Sequence, residues 1–215
     1  PSGVLPRKDA MILALDFETA NSDPGSVCAV GLAWFDGVRI TGSWESLIRP
    51  HRSCRWFSRF NIAVHGITPE MVAQAPEWGD VWPELAPHFA GSMVIAHNAA
   101  FDVPVLLRTL ELYGFAPPEF DFFCTCKSAR RVWPELENHK LNTVSDFLGW
   151  EFRHHDAQED AAAAANALGA MLRATGSADV TELADRLGIA PGHVSPAGFT
   201  PCKVRTPRKR KPAKS

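Results

Sequence analysis

No stretch of this chain approaches the roughly 18 consecutive apolar residues of a membrane-spanning helix, and its opening, PSGVLPRKDA, lacks the hydrophobic segment of a signal peptide. A membrane partner is therefore not expected, and a cytoplasmic location is. Paired cysteines are also missing. The five present, Cys28, Cys54, Cys124, Cys126 and Cys202, are odd in number and scattered, so reduced thiols are expected. The lone C-x-C of Cys124 and Cys126 has no second pair to complete a zinc site, and strand alternation accounts for it. Acidic residues are absent from Leu187 onward, where seven Lys or Arg fall (Lys203, Arg205, Arg208, Lys209, Arg210, Lys211, Lys214), so the net charge of −2 splits into −9 for the body and +7 for the tail. Such a tail suits salt-sensitive contact with phosphates, or serves as a disordered solubilising end.

What is present suffices for a sizeable core: 215 residues, 46% hydrophobic, predict one domain of ordinary size plus tails. The chain is organised around Met11 to Asn21, MILALDFETAN, an apolar run ending in Asp16 and Glu18. Residues two apart in a strand share a face, so the two carboxylates converge at its end. Like charges that close need a counter-ion, and a hard divalent cation prefers oxygen ligands. D-x-E also occurs by chance at strand ends, so further carboxylates are required elsewhere.

Val27 to Phe35 and Arg39 to Arg49 read as strands joined by a turn at Asp36-Gly37. Between Arg49 and Asn61, Arg49, Arg52, Arg55 and Arg59 interleave with Trp56, Phe57 and Phe60, a pattern that can stack bases and hold phosphates or can cover a core edge. In HGITPE, Thr68 is the predicted N-cap and Pro69 the first helical residue. The segment from Trp78 to Ala90 carries Pro83 and Pro87, which predict a helix that is broken or that begins at Pro83. Ser92 to Ala96 has the composition of a central parallel strand. His97 and Asn98 follow at its exit, and Asp102 opens a helix with an apolar face of Val105, Leu106 and Leu110. Phe120 to Thr125 is the next strand, Lys127 to Val132 a helix with Arg130 and Arg131, and Asn138 to Trp150 a short helix ended by Gly149, where Lys140 can meet a phosphate or simply start a helix.

In RHHDAQEDAAAAANALGAML, Asp156 and Glu159 have capping-box spacing ahead of an alanine run, so a helix starts near Asp156. Asp160 lies one turn inside it and His155 just outside. A rigid carboxylate to fix a cation and an adjustable imidazole to accept a proton suit metal-assisted hydrolysis. His154 is read as an exposed neighbour of His155.

Taken in order, DFET, HNAAFD and HDAQED resemble the three motifs of the DEDDh, or DnaQ-like, 3′-to-5′ exonucleases, and the similarity covers roughly residues 11 to 172. The resemblance implies an α/β, ribonuclease-H-like fold: a mixed five-stranded sheet flanked by helices. It implies that Asp16, Glu18, Asp102 and Asp160 hold two Mg²⁺ or Mn²⁺ and that His155 is the general base. Phe101, Val64 and His65 would line the pocket of the terminal nucleotide, and the backbone at Thr19 and Ala20 would approach its 3′ end. The implied partner is nucleic acid with a free 3′ end, DNA before RNA, cut to nucleoside 5′-monophosphates. A ribonuclease and a non-catalytic binder of the same fold are the alternatives. The expected layout is a tail at 1–10, the exonuclease domain at 11–175, a small helical extension at 176–190 and a basic, disordered tail at 191–215. That extension does not resemble a polymerase-binding segment, so a stand-alone nuclease is expected over a proofreading subunit.

Overall fold

The computed structural model describes residues 2–3 and 12–205; the expectations for residues 1, 4–11 and 206–215, including Met11 and most of the basic tail, lie outside them. In chain order the elements are β1 (Ser2–Gly3), β2 (Ile12–Thr19), β3 (Val27–Phe35), β4 (Ile40–Leu47), α1 (Arg59–His65), α2 (Pro69–Val72), α3 (Trp78–Phe89), β5 (Met93–Ala96) and α4 (Ala99–Leu112). They continue with β6 (Phe120–Cys124), α5 (Thr125–Val132), α6 (Leu141–Phe147), α7 (Ala157–Thr175), α8 (Val180–Leu187), β7 (Ile189–Ala190), β8 (Gly192–Ser195), β9 (Gly198–Thr200) and β10 (Lys203–Val204). The main sheet has the order β1-β4-β3-β2-β5-β6-β8-β9, while β7 and β10 pair separately. Its centre is the expected set of five: β2, β3 and β4 run antiparallel, and β5 and β6 continue parallel to β2. The fold is α/β and ribonuclease-H-like.

Among the described residues, the five-stranded count is corrected to eight. β1 extends one edge along β4, and the β8–β9 hairpin extends the other along β6. The stretch expected as a disordered tail from residue 191 is therefore ordered through the hairpin and β10. Two contacts explain this. A Cβ on Gly192 would lie 2.1 Å from the Phe122 ring, so only glycine lets β8 seat there, and Phe199 stacks on the same ring at 6.2 Å. The chain thereby covers the backbone edge that β6 would otherwise leave unpaired. Cys124 closes β6 and Cys126 lies in α5, so strand alternation does not relate them; all five cysteines are free thiols.

Helix α3 is also a correction: it runs unbroken from Trp78 to Phe89 through both prolines. Each interior proline costs about 3 kcal/mol. Against that, Trp78, Val81, Trp82, Leu85 and Phe89 are all buried, each contributing about 1.5–3 kcal/mol. Burial wins, and a reciprocal capping box of Glu77 and Asp80 fixes the start.

The two faces of the central strands differ in size. On one, Leu13, Leu15 and Phe17 of β2 stand beside Trp34, Leu32 and Val30 of β3, and Phe17 meets Trp78 of α3 at 5.6 Å. On the other, Ala14 and the two carboxylates stand beside Ala33, Gly31 and Ala29. The alanine-rich α7 packs on this small-residue face. A Cβ on Gly31 would lie 2.0 Å from the backbone of Ala157, so the first turn of α7 rests directly on β3 opposite Asp16.

Because that contact is with backbone, side-chain rotation cannot relieve it. Gly31→Val is expected to lower the melting temperature by about 5–10 °C, from overpacking of about 2–3 kcal/mol at roughly 2–4 °C per kcal/mol. A melting temperature within about 2 °C of wild type in thermal denaturation would show that α7 does not depend on this contact.

Candidate active site

Strand β2 presents Asp16 and Glu18 to the α7 face, and pairing with β3 shifts register immediately after Glu18. Asp160 sits in the first turn of α7, whose N-cap Asp156 accepts from Glu159 N–H at 3.2 Å. The predicted capping box is only half formed, since the Glu159 carboxylate turns to Arg153 at 2.7 Å. One oxygen from each of Asp16, Glu18 and Asp160 lies within 4.8 Å of the others. Asp102, in the first turn of α4, is buried to 1% exposure, and its Oδ1 accepts from the Phe17 N–H at 3.2 Å. β5 pairs with β2 only as far as Ala14, so the carboxylate supplies a partner for a ladder donor that β5 does not reach. The turn leading to it needs a left-handed residue, and Asn98 occupies it at φ 80°. Asn98 makes no side-chain cap; its carbonyl accepts from Phe101 N–H at 2.8 Å.

Four carboxyl groups are thus crowded into a buried site, and every one is pushed towards its protonated form. Burial comes first, raising Asp16 well above the usual carboxylate range, with Asp102, Asp160 and Glu18 adding repulsion. Burial and then Asp160 and Asp102 raise Glu18 to about 8. Asp102 rises to about 8 and Asp160 to about 7, again chiefly through burial, each restrained by the N–H it accepts. Among the described residues, these four meet only histidines within 4 Å as basic partners: His154 Nδ1 is 3.5 Å from Asp160 and His155 Nδ1 is 3.8 Å from Glu18. Asp160 Oδ1 is buried with no hydrogen-bond partner, while Oδ2 accepts from the His155 N–H at 3.1 Å. An all-oxygen donor set with a buried, unpartnered oxygen fits a hard divalent cation.

The carboxylates open into a cleft of about 810 Å³. Val64 and Phe101 line it, with 39% and 43% of their surfaces exposed. His65, expected to line the pocket, and Thr19 and Ala20, expected to approach the 3′ end through their backbone, are not among the residues lining the cleft. Ala20 is fully buried, its N–H donating to Ser26 and its carbonyl accepting from Ser58, so its backbone is already engaged. Thr19 is buried, and its carbonyl accepts from Asn61 Nδ2 at 2.8 Å. The His65 ring is engaged too, Nε2 with that same carbonyl at 3.2 Å and Nδ1 accepting from Ile67 N–H at 3.0 Å. The arginine and aromatic stretch is not part of the cleft either: Arg49 and Arg55 pair with Glu77 at 3.3 and 3.1 Å, while Trp56 and Phe60 remain exposed.

The opposite wall comes from residues 138–142 and Arg130, with Lys140 exposed at its rim. His97 holds this wall in place, with Nε2 donating to the His139 carbonyl at 2.8 Å and Nδ1 accepting from Thr125 Oγ1 at 3.0 Å. Burial pushes His97 down to about 4, which favours that neutral tautomer. The sequence reading missed two residues that shape the site, Gly31 and His97; the role of Gly31 rests on a strand register and a helix contact that no local pattern marks.

Residues 13–168, most of the chain, match the exonuclease family of the RNase T type. The chain is 31% identical over 159 residues to a PolC-type DNA polymerase III of Thermotoga maritima, covering 71% of this chain and 11% of that protein. It is 32% identical over 157 residues to a DNA polymerase III subunit epsilon-like protein of Rhodobacter capsulatus, covering 70% of this chain and 21% of the relative. The chain therefore spans only about a tenth to a fifth of the length of these relatives. Among solved structures, exonuclease X in complex with 5′ overhanging duplex DNA superposes with a TM-score of 0.66 at 26% identity, covering 83% of this chain and all of that one. The nuclease domain of 3′hExo, a DEDDh family member bound to rAMP, gives the same TM-score at 18% identity, covering 78% and 94%, a likeness of fold. With the four carboxylates and His155 gathered at the end of this fold, the chain belongs to the RNase T exonuclease family, as a member of the DEDDh type.

Proposed function

We propose that the protein is a metal-dependent 3′-to-5′ exonuclease that removes nucleoside 5′-monophosphates from the end of DNA, single-stranded by preference. The observation that carries this reading is the buried carboxylate cluster, whose unpartnered Asp160 Oδ1 and mutual repulsion call for cations. Asp16, Glu18, Asp102 and Asp160 would hold two Mg²⁺ or Mn²⁺. Bound there, the ions supply a lowered pKa for an attacking water and charge stabilisation for the departing 3′-oxygen.

The remaining steps fall to the chain's own groups. His155 is 45% exposed and stands on a left-handed backbone at φ 64°, so its imidazole can swing while its N–H stays fixed to Asp160. It takes the proton from the attacking water. Val64 and Phe101 offer apolar surface to the terminal base, and Arg130 and Lys140 meet phosphates from the opposite wall. DNA is favoured because the relatives are DNA polymerases and exonuclease X was captured on DNA. A stand-alone enzyme is favoured over a polymerase partner because residues 192–200 are used to complete the chain's own sheet.

Matched 5′-labelled single-stranded DNA and RNA, incubated with Mg²⁺, Mn²⁺ or EDTA, test this. The expected result is a ladder shortening from the 3′ end of DNA that EDTA abolishes, with kcat about 10²–10⁴-fold lower in His155→Ala and KM little changed. A ladder on RNA alone would make the enzyme an exoribonuclease, and no cleavage of either would overturn the reading.

The carboxylate cluster makes a second prediction. Asp16→Asn removes one of four repelling groups, so it should abolish turnover and yet raise the melting temperature in EDTA, by about 2–6 °C for about 1–2 kcal/mol. An unchanged or lower value in EDTA would show that the cluster carries no electrostatic strain. For the opposite wall, Lys140→Ala should raise KM several-fold, flatten the dependence of binding on salt by about one ion, and leave kcat within about threefold. An unaltered salt slope would remove Lys140 from the substrate path.

A further inference from the structure

The third motif contains two adjacent histidines, and the proposed reaction uses only one. His154 is not idle in the structure. Its Nδ1 lies 3.5 Å from Asp160 Oδ1, the buried oxygen that no hydrogen bond satisfies, and the Asp160 side chain is only 8% exposed. Asp160 cannot turn that oxygen elsewhere, because its other oxygen is held by the His155 N–H. One ligand atom each from His154, His155 and Asp160 lies within 4.8 Å of the others. Phe152 packs on the His154 ring at 4.6 Å and steadies it.

We propose that His154, His155 and Asp160 form a separate site for a borderline-soft transition metal of the zinc class, and that filling it switches the nuclease off. Bonds of about 2.0–2.2 Å in a tetrahedral site place ligand atoms about 3.3 Å apart. The His154–Asp160 spacing already matches, and closing the third position takes only rotation of His155, which is nearly half exposed. Two imidazoles and one carboxylate suit zinc and its neighbours, whereas Mg²⁺ prefers the all-oxygen set next door. The two sites share Asp160, so they compete.

Inhibition follows from ligand identity and rests on the role proposed for His155. An imidazole nitrogen bound to a metal has no lone pair with which to take a proton from water. Low zinc should therefore stop turnover even when Mg²⁺ is saturating, and His154, to which the proposed reaction assigns no step, is the residue that makes this possible.

The test titrates zinc alone, by calorimetry, into the metal-free full chain as wild type, Asp16→Asn and His154→Gln. Wild type and Asp16→Asn are expected to bind one zinc tightly, and His154→Gln at least about tenfold more weakly. In nuclease assays at saturating Mg²⁺, the zinc concentration that halves the rate should rise by at least about tenfold in His154→Gln, while the zinc-free rate stays within about twofold of wild type. Loss of zinc binding in Asp16→Asn with none in His154→Gln would place the metal on the carboxylates and overturn the site. If no form digests nucleic acid, the exonuclease reading fails, while calorimetry still decides whether the zinc site exists.

Discussion

Mutual repulsion among four buried carboxyl groups is the constraint on which the rest of this structure depends. Asp16 and Glu18 come from β2, Asp102 from α4 and Asp160 from α7, and burial raises each above the ordinary carboxylate range; carboxylates of the set add to this at Asp16, Glu18 and Asp102, and Asp156 and Glu159 add to it at Asp160. Groups that repel must be held by something other than one another. Asp102 is held by the Phe17 N–H, Asp160 by the His155 N–H, and α7 by its contact with Gly31 and its Asp156 cap. Apart from the Asp156 side-chain cap, these anchors are backbone, which cannot rotate away.

The stability that permits such a site comes from the other side of the sheet. Alternate residues of β2 face opposite ways, so the strand that carries Asp16 and Glu18 on one face sends Leu13, Leu15 and Phe17 into the other. There the stack of Phe17, Trp78, Trp82 and Phe89 forms a continuous aromatic core. Large residues on the α3 face and small ones on the α7 face have separate consequences. The first supplies apolar burial, and the second lets a helix approach closely enough to bring its carboxylate to the strand.

This division also explains what could be read in advance. The period-two spacing of Asp16 and Glu18, the apolar run before His97, and the capped alanine helix after His155 are local patterns, and each placed its residue at the right end of the right element. Contacts between elements left weaker traces. Nothing near Gly31 in the sequence announces that Ala157 will sit against it, and the prolines of α3 were outweighed by burial that only the packed sheet supplies. The Gly192 hairpin is ordered by a distant ring, Phe122. The motif marked His65, but not that its ring would meet the Thr19 carbonyl.

The turn between Phe152 and Ala157 concentrates the chemistry because two requirements meet there. Asp160 must be rigid to define a cation position, and the helix gives it that rigidity. His155 must be adjustable to follow a water and a departing proton, and its left-handed backbone outside the helix gives it that freedom. The same freedom lets the imidazole reach other partners. With His154 beside it and a buried Asp160 oxygen 3.5 Å from the His154 ring, what makes His155 a usable base also makes it a usable ligand. Softness of the metal then decides between the two roles: hard cations leave both histidines to water and substrate, and nitrogen-preferring metals draw them in.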